Sequence, residues 1–353
     1  MWLTNVDSDV MQSRARMIGA LDSLKARGFN VVFPVVWNKG WTLHPSDVMV
    51  RTFGDYARQD TFYTNRARPG QAPFDPLAAI IEEGHARGFL VIPWFEFGFA
   101  TSFRAGGGHI LARKPGWAAR DRTGGLLTKN GFEWMNAFDP EVQAFMLDLV
   151  GEVARRYDVD GIQGDDRLPA LPSEGGYDDY TRGLYARTHG GASLPDDPRD
   201  SAFVAWKARL LTDFGGRLYR RVKDTKPCAI VSLSPSVYPW SRDEYLQDWP
   251  AWIEAGQVDW LHPQNYRYEI ERYATTLDEV VAAWRGARGH ERVRMAPGIL
   301  VKAGPRYNGP AYVREALRLH RAAGLDGEVF FFYEGLFARN HNLADTLRAT
   351  YYR

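Results

Sequence analysis

The chain has 353 residues and a formal charge of +1, so it lacks the basic excess that marks partners such as nucleic acid or an anionic membrane surface. Its one cysteine, Cys228, rules out an internal disulfide and a cysteine-rich metal site. No apolar run approaches the roughly 18 residues of a membrane helix.

In chain order, short β-type runs alternate with helical segments. Met1 is followed directly by 2–6, which reads as a strand already under way in a trimmed chain, with no signal peptide ahead of it. The runs 30–37 and 90–97 are continuously apolar, as in strands buried on both faces. Pro73-Phe74-Asp75-Pro76 opens a helix over 77–87. Asp139-Pro140-Glu141 places a cap, a first-position proline and an early acid at the head of another. Strands then fall at 161–165, 229–234, 258–266, 293–300 and 328–333, with helices at 202–223, 277–287 and 310–323.

Eight such units predict an α/β fold, a single (β/α)8 TIM barrel over residues 1–353. The alternative is an open doubly wound sheet, but no G-x-G-x-x-G follows the first strand and no Walker-type Gly-Lys-Ser/Thr occurs. Two connections are long, 38–73 after strand two and 98–138 after strand three. In a barrel these loops rise on the C-terminal face, where active sites sit.

Polar residues gather at the strand ends. The first strand runs into Asn5-Val6-Asp7 and the second ends Trp37-Asn38-Lys39. The third ends Trp94-Phe95-Glu96, and the fourth ends Gln163-Gly164-Asp165-Asp166-Arg167. The sixth closes on His262-Pro263-Gln264-Asn265-Tyr266 and the eighth on Tyr333-Glu334. Each has an ordinary explanation alone: an aspartate caps a turn, a glutamate pairs with an arginine, and Asp160 reads as a turn residue. Together, on one rim, they point to carboxylate chemistry. Glycoside hydrolysis needs one acid that stays protonated and another that stabilises the cationic centre or activates water. Adjacent like charges raise one of two pKa values, which keeps such an acid protonated. Aromatic residues make up 14% of the chain, and their flat faces suit sugar rings as well as a bulky core. The competing use is a hard divalent cation, yet no H-E-x-x-H or EF-hand loop occurs. Ser232 and Ser234 lack the G-x-S-x-G elbow.

These residues resemble the glycosyl-hydrolase-like family 10 domain of exported or lipid-anchored bacterial proteins. The resemblance runs over nearly the whole chain. It rests on Trp2-Leu3-Thr4-Asn5, Trp94-Phe95-Glu96, Asp139-Pro140-Glu141-Val142, Asp158 to Asp166, Pro263-Gln264-x-Tyr266 and Tyr333-Glu334. The family pattern D-G-I-x-F-D-D departs here at Gly164, and Arg167 replaces an aromatic or histidine. Against the D-G-x-D-x-D-x-E of chitinase-type barrels, Arg167 falls where the acid stands, and arginine cannot donate a proton usefully.

The resemblance implies a TIM barrel acting outside the cytoplasm on amino-sugar polymers, including peptide-free peptidoglycan strands. The expected carboxylates are Asp165 and Asp166, with Glu334 or Glu96 as the remaining acid or base. Trp37, Trp94, Trp134 and Tyr266 are expected as sugar platforms. Gln264 and Asn265 are expected to bond hydroxyl or acetamido groups, with His262, Tyr333 and Arg167 as further contacts. The expected partner is a poly- or oligosaccharide bound by a monomer, with no metal and no cofactor. A non-catalytic glycan-binding barrel is the alternative.

Overall fold

The computed structural model describes residues 1–66, 72–337 and 343–350. Among these residues eight parallel strand positions follow one another. They are β1 (Trp2–Leu3), β2 (Val31–Pro34), β3 (Leu90–Val91), β4 (Gly161–Gly164), β5 (Ile230–Leu233), β6 (Trp260–Leu261), β7 (Arg294–Met295) and β8 (Val329–Phe331). Gln264–Asn265 prolongs β6, and Gly298–Leu300 prolongs β7. Trp2 lies opposite Phe33, Val31 opposite Leu90, Gln163 opposite Ser232, and Ser232 opposite Trp260. Trp260 then pairs with Arg294, and Ile299 with Phe330. A single bridge from Trp94 to Gln163 joins the third position to the fourth. Neighbours in space are therefore neighbours in sequence, the order of a (β/α)8 array. Among the described residues no ladder links β8 to β1; there Trp2 and Phe331 meet with ring centroids 6.1 Å apart.

The ladders are shorter than the apolar runs suggest because prolines interrupt them. Pro34, Pro93, Pro263 and Pro297 have no N–H to give. Pairing resumes just beyond. Trp94 N donates to Pro34 O at 2.8 Å, and Gly298 N to Pro263 O at 2.9 Å.

The principal helices follow the strands in turn: α1 (Arg14–Lys25), α2 (Pro76–His85), α3 (Pro140–Arg156), α4 (Ser201–Thr225), α5 (Trp249–Glu254), α6 (Ile270–Gly286), α7 (Pro310–Ala322) and α8 (Leu343–Thr350). Asp75, Asp139 and Asp200 cap α2, α3 and α4 by accepting backbone N–H groups of the first turn. Helix α6 begins at Ile270 rather than 277, because buried Tyr273 extends the apolar stripe of Leu277, Val280 and Val281 by one more turn.

Strand alternation divides the apolar residues into two sets. Trp2, Phe33, Val35, Ile92 and Trp94 pack together among the strands. Ile162, Leu233, Leu261 and Ile299 belong to the larger set under the helices. The inner set also holds polar groups: Trp2 Nε1 donates to Gln163 Oε1 at 2.6 Å, and Gln163 Nε2 to Ser232 Oγ at 2.9 Å. The long connections carry structure of their own. After β2, Trp37–Asn38 pairs with Trp41–Thr42 ahead of a helix at Asp47–Phe53. After β3, Ala100–Phe103, Phe132–Trp134 and Thr128–Lys129 form an antiparallel sheet. The stretch 165–200 between β4 and α4 is of similar length and contains a helix, Asp179–Thr188.

Candidate active site

The turn after β4 folds back tightly. A Cβ on Gly164 would lie 2.3 Å from the carbonyl oxygen of Leu168, and one on Gly98 only 2.0 Å from that of Arg167. A side chain at 164 would push the turn off the strand, which accounts for the glycine there. Gln163 faces the interior and Ile162 the helices, so alternation brings Asp165 inward; Asp166 lies where the strand has ended. Asp165 is accordingly 2% exposed and Asp166 28%.

Arg167 ties the cluster together. Its Nη2 is 3.1 Å from Asp165 Oδ2, its Nη1 is 2.8 Å from Asp166 Oδ1, and its Nε donates to the Glu96 carbonyl oxygen at 3.0 Å. Phe132 and Phe97 flank the guanidinium, with ring centroids at 4.6 and 5.3 Å. Gln264 Nε2 donates to Asp165 Oδ1 and also reaches Ser234 O at 3.0 Å. Gln247 Nε2 donates to the Asp165 carbonyl oxygen at 3.1 Å. Asn38 Nδ2 donates to Glu96 Oε2 at 2.5 Å.

Two carboxyl groups thus share one guanidinium in a poorly solvated place, with the Glu96 carboxyl beside them on Asn38. Burial pushes Asp165 well above the usual carboxylate range, and the charges of Asp166 and Glu96 add to this against the pull of Arg167. Glu96 is pushed up to about 7, first by burial and then by Asp166, while Arg167 and Asn38 oppose the shift. Burial disfavours the Arg167 cation, but the three acids outweigh it and hold its proton more firmly. Tyr266 is raised by burial and by the same acids, which places its phenol in their field. A proton retained on Asp165 or Glu96 at neutral pH is the raw material of acid–base catalysis.

Asp166 opens onto a cavity of about 390 Å³, lined also by Ser236, Tyr238, Trp240, Gln264, Tyr266 and Arg267. That volume is in the range of small-molecule sites, about 300–1,000 Å³. Trp240 is 46% exposed.

The chain matches the family described as Glycosyl hydrolase-like 10 over residues 1–312. It belongs to that family. It is 26% identical over 325 residues to glycosyl hydrolase DigH of Escherichia coli strain K12, covering 84% of this chain and 68% of that one. Glycosyl hydrolase YngK of Bacillus subtilis strain 168 is 21% identical over 312 residues, 80% of this chain and 54% of its own length. In fold it is similar to the glycoside hydrolase domain of PgaB (BpsB) from Bordetella bronchiseptica, with a TM-score of 0.63, 15% identity and coverage of 94% and 93%. The α-L-fucosidase isoenzyme 2 of Paenibacillus thiaminolyticus gives a TM-score of 0.65 at 19% identity, covering 96% of this chain and 46% of that one.

Within this member of the glycosyl hydrolase-like 10 family, the expected residues divide. Asp165, Asp166, Glu96, Gln264, Tyr266 and Arg167 come together, although the Arg167 donors are spent on the acids rather than free for a sugar. Glu334 does not join them. It accepts from Ser8 Oγ at 2.5 Å, and its pKa is raised by burial and by Asp9, not by the Asp165 cluster.

Three platform expectations are corrected by burial. Trp37 donates Nε1 to Gly98 O at 2.9 Å and packs on Phe145. Trp94 packs against Trp2 and Phe331 among the strands, and Trp134 lies buried against Tyr245. None has a face free for a sugar. Asn265 is buried with Nδ2 on the carbonyl oxygen of Tyr273. His262 lies among Trp2, Phe33 and Trp260, with Nδ1 on Ala296 O at 2.8 Å, and burial lowers its pKa to about 4. Tyr333 packs on Phe337, away from Asp165.

Tyr238, Trp240 and Arg267 were not singled out from the sequence, and Asn38 was named there only as a strand-end residue without a role. The signal for two of them was present, since Tyr238-Pro239-Trp240 puts two aromatics around a proline in the loop after β5. Among the described residues no group of three or more His, Cys, Asp or Glu is placed to hold a metal, and no helix is long and apolar enough to cross a membrane.

Proposed function

We propose that the protein is an endo-acting glycoside hydrolase of an amino-sugar-containing bacterial polysaccharide, built on a closed (β/α)8 barrel and working outside the cytoplasm. Closure is supported by the sequential strand order and by the contact of Trp2 with Phe331. The observation that carries the chemistry is the pairing of unlike carboxyls. Asp165 is buried, hydrogen-bonded and raised in pKa, and next to it Asp166 faces a cavity bordered by exposed Trp240. In this reading Asp166 meets the glycosidic oxygen. Asp165 and Glu96 keep a proton in the cluster and set the position and charge of Asp166, while Gln264 and Arg167 hold Asp165 in place.

A second reading, a glycan-binding barrel without turnover, draws on Arg167. Both aspartates are ion-paired with it, and it stands where chitinase-type barrels carry their acid. Product analysis separates the two. The protein is incubated with peptide-free peptidoglycan strands, chitosan-type polymers and a neutral glucan, and shortened chains with new reducing ends are sought. Cleavage of an amino-sugar polymer that vanishes in Asp166→Asn supports the hydrolase. Binding without any new reducing ends supports the second reading.

A further inference from the structure

The cavity beyond Asp166 contains a cation that has no ion-pair partner among the described residues. Arg267 follows Tyr266 at the end of the sixth strand position and is half-buried. Its Nη1 donates to the Tyr266 carbonyl oxygen at 3.0 Å, and among the described residues no carboxylate comes within ion-pair distance of it. This is unusual beside its neighbours, since Arg167 and Arg242 in the same region are each ion-paired. The position of Arg267 is fixed from behind, because its own carbonyl oxygen accepts from Asn308 Nδ2 at 3.0 Å and from Tyr312 Oη at 2.7 Å. The charged groups around it are Asp166 across the same cavity, Glu279, on α6 at the cavity edge, and Arg272. Burial lowers the pKa of Arg267, the mark of a cation that has lost water without gaining a full counter-charge.

We propose that Arg267 makes this cavity a subsite for an anionic sugar residue, one whose carboxylate pairs with the guanidinium while its ring lies along Trp240 and Tyr238. A planar guanidinium with unused donors is the side chain best matched to a carboxylate. The ring contact and the charge contact then fix the register of the chain, so that the next glycosidic bond lies over Asp166. This subsite rests on the hydrolase reading for its purpose, but its binding can be measured without turnover.

The test uses two probes, peptide-free peptidoglycan oligosaccharides with free carboxylates and the same oligosaccharides with those groups converted to methyl esters. Binding is measured by calorimetry on the full chain and on its Arg267→Gln and Arg267→Lys variants. The parent is expected to bind the carboxylate form about ten- to a hundred-fold more tightly than the ester, the range of a hydrogen bond to a charged group. Arg267→Gln abolishes that preference, Arg267→Lys keeps part of it, and Glu279→Gln strengthens it. Equal binding of the two probes by the parent, binding of neither, or an undiminished preference in Arg267→Gln overturns the subsite. Selective binding with no cleavage leaves the subsite standing and removes the hydrolase reading instead.

Discussion

The two ends of the strand array treat their carboxylates in opposite ways. At the strand starts, Asp160, Asp259 and Asp326 each accept a backbone N–H from a neighbouring strand, those of Val91, Val231 and Met295, at 2.7, 2.7 and 2.9 Å. Asp160 also meets His85 at 2.9 Å, and Asp259 meets Lys223 at 2.7 Å. These acids finish ladders that would otherwise leave donors open. At the strand ends, Asp165 and Asp166 share a single guanidinium, Asp165 and Glu96 lean on side-chain amides, and burial and mutual repulsion raise Asp165 and Glu96. Chemical type does not separate the two groups of acids. Donor supply does: a carboxylate with dedicated backbone and cationic partners is structural, and one left short of them is available to reactants.

The largest expected effect lies at the rim. Asp166→Asn should lower kcat by at least about two orders of magnitude, the scale of an acid–base contribution, with the melting temperature unchanged. Asp165→Asn should do the same by releasing Arg167 and Gln264 from their present geometry. Near-normal turnover in both variants, on a substrate the parent cleaves, would falsify the contrast between the two ends. At the other end, Asp259→Ala should leave kcat alone and reduce stability by about 1–3 kcal/mol, because the Val231 N–H and Lys223 lose their acceptor. Denaturant titration beside steady-state assays reads both numbers.

A pH series sharpens the same comparison. Glu96 has a folded pKa of about 7 against an ordinary 4.5. Below 4.5 it is protonated whether the chain is folded or not. Between 4.5 and 7 the folded chain keeps a proton that the unfolded chain has released, so stability falls as pH rises through that window. Glu96→Gln should flatten this slope. If the retained proton serves catalysis, activity of the parent should also decline as pH climbs past 7, and a rate that rises steadily to pH 9 would remove Glu96 from the chemistry.

Much of this contrast was readable in the sequence. Asp160, read as a turn residue, instead accepts from the Val91 N–H and meets His85 across the strand starts, but the eight units and the helix caps at Asp75 and Asp139 follow from local rules of alternation and capping. So does the inward turn of Asp165, since strand parity is strict until the strand stops. The tryptophans were a different matter. Trp37, Trp94 and Trp134 sit at strand or hairpin ends just as Asp165 does, but whether a ring faces a cleft or fills the space beneath it depends on what the long loops cover. Gly98 and Gly164 decide how closely the Arg167–Leu168 backbone approaches, a tertiary contact that no local pattern encodes. Glu334 follows a strand end as the acids do but lies apart from them, because it follows β8 rather than β3 or β4, and the chain turns into a 3-10 helix at Tyr333–Leu336 and points it toward Ser8.

The smallest expected effect separates the buried tryptophans from the exposed one. Trp240 keeps 46% of its surface open and tilts against Tyr245 at 5.3 Å, so its outer face is free beside Asp166. Its removal should cost contact with the substrate and little else. Trp240→Ala is expected to raise KM several-fold, consistent with about 1 kcal/mol for a stacking contact, while kcat and the melting temperature stay within error. Trp94→Ala should behave in the opposite sense, losing about 3–5 kcal/mol of stability from a cavity among the strands, with any loss of activity following from the unfolded fraction. A Trp240→Ala variant with unchanged KM on every cleaved polymer would move the sugar path away from the loop after β5. The tilt of Trp240 on Tyr245 would then be a packing contact, and the cleft would have to run toward Asn38 and the hairpin at Trp41–Thr42 instead.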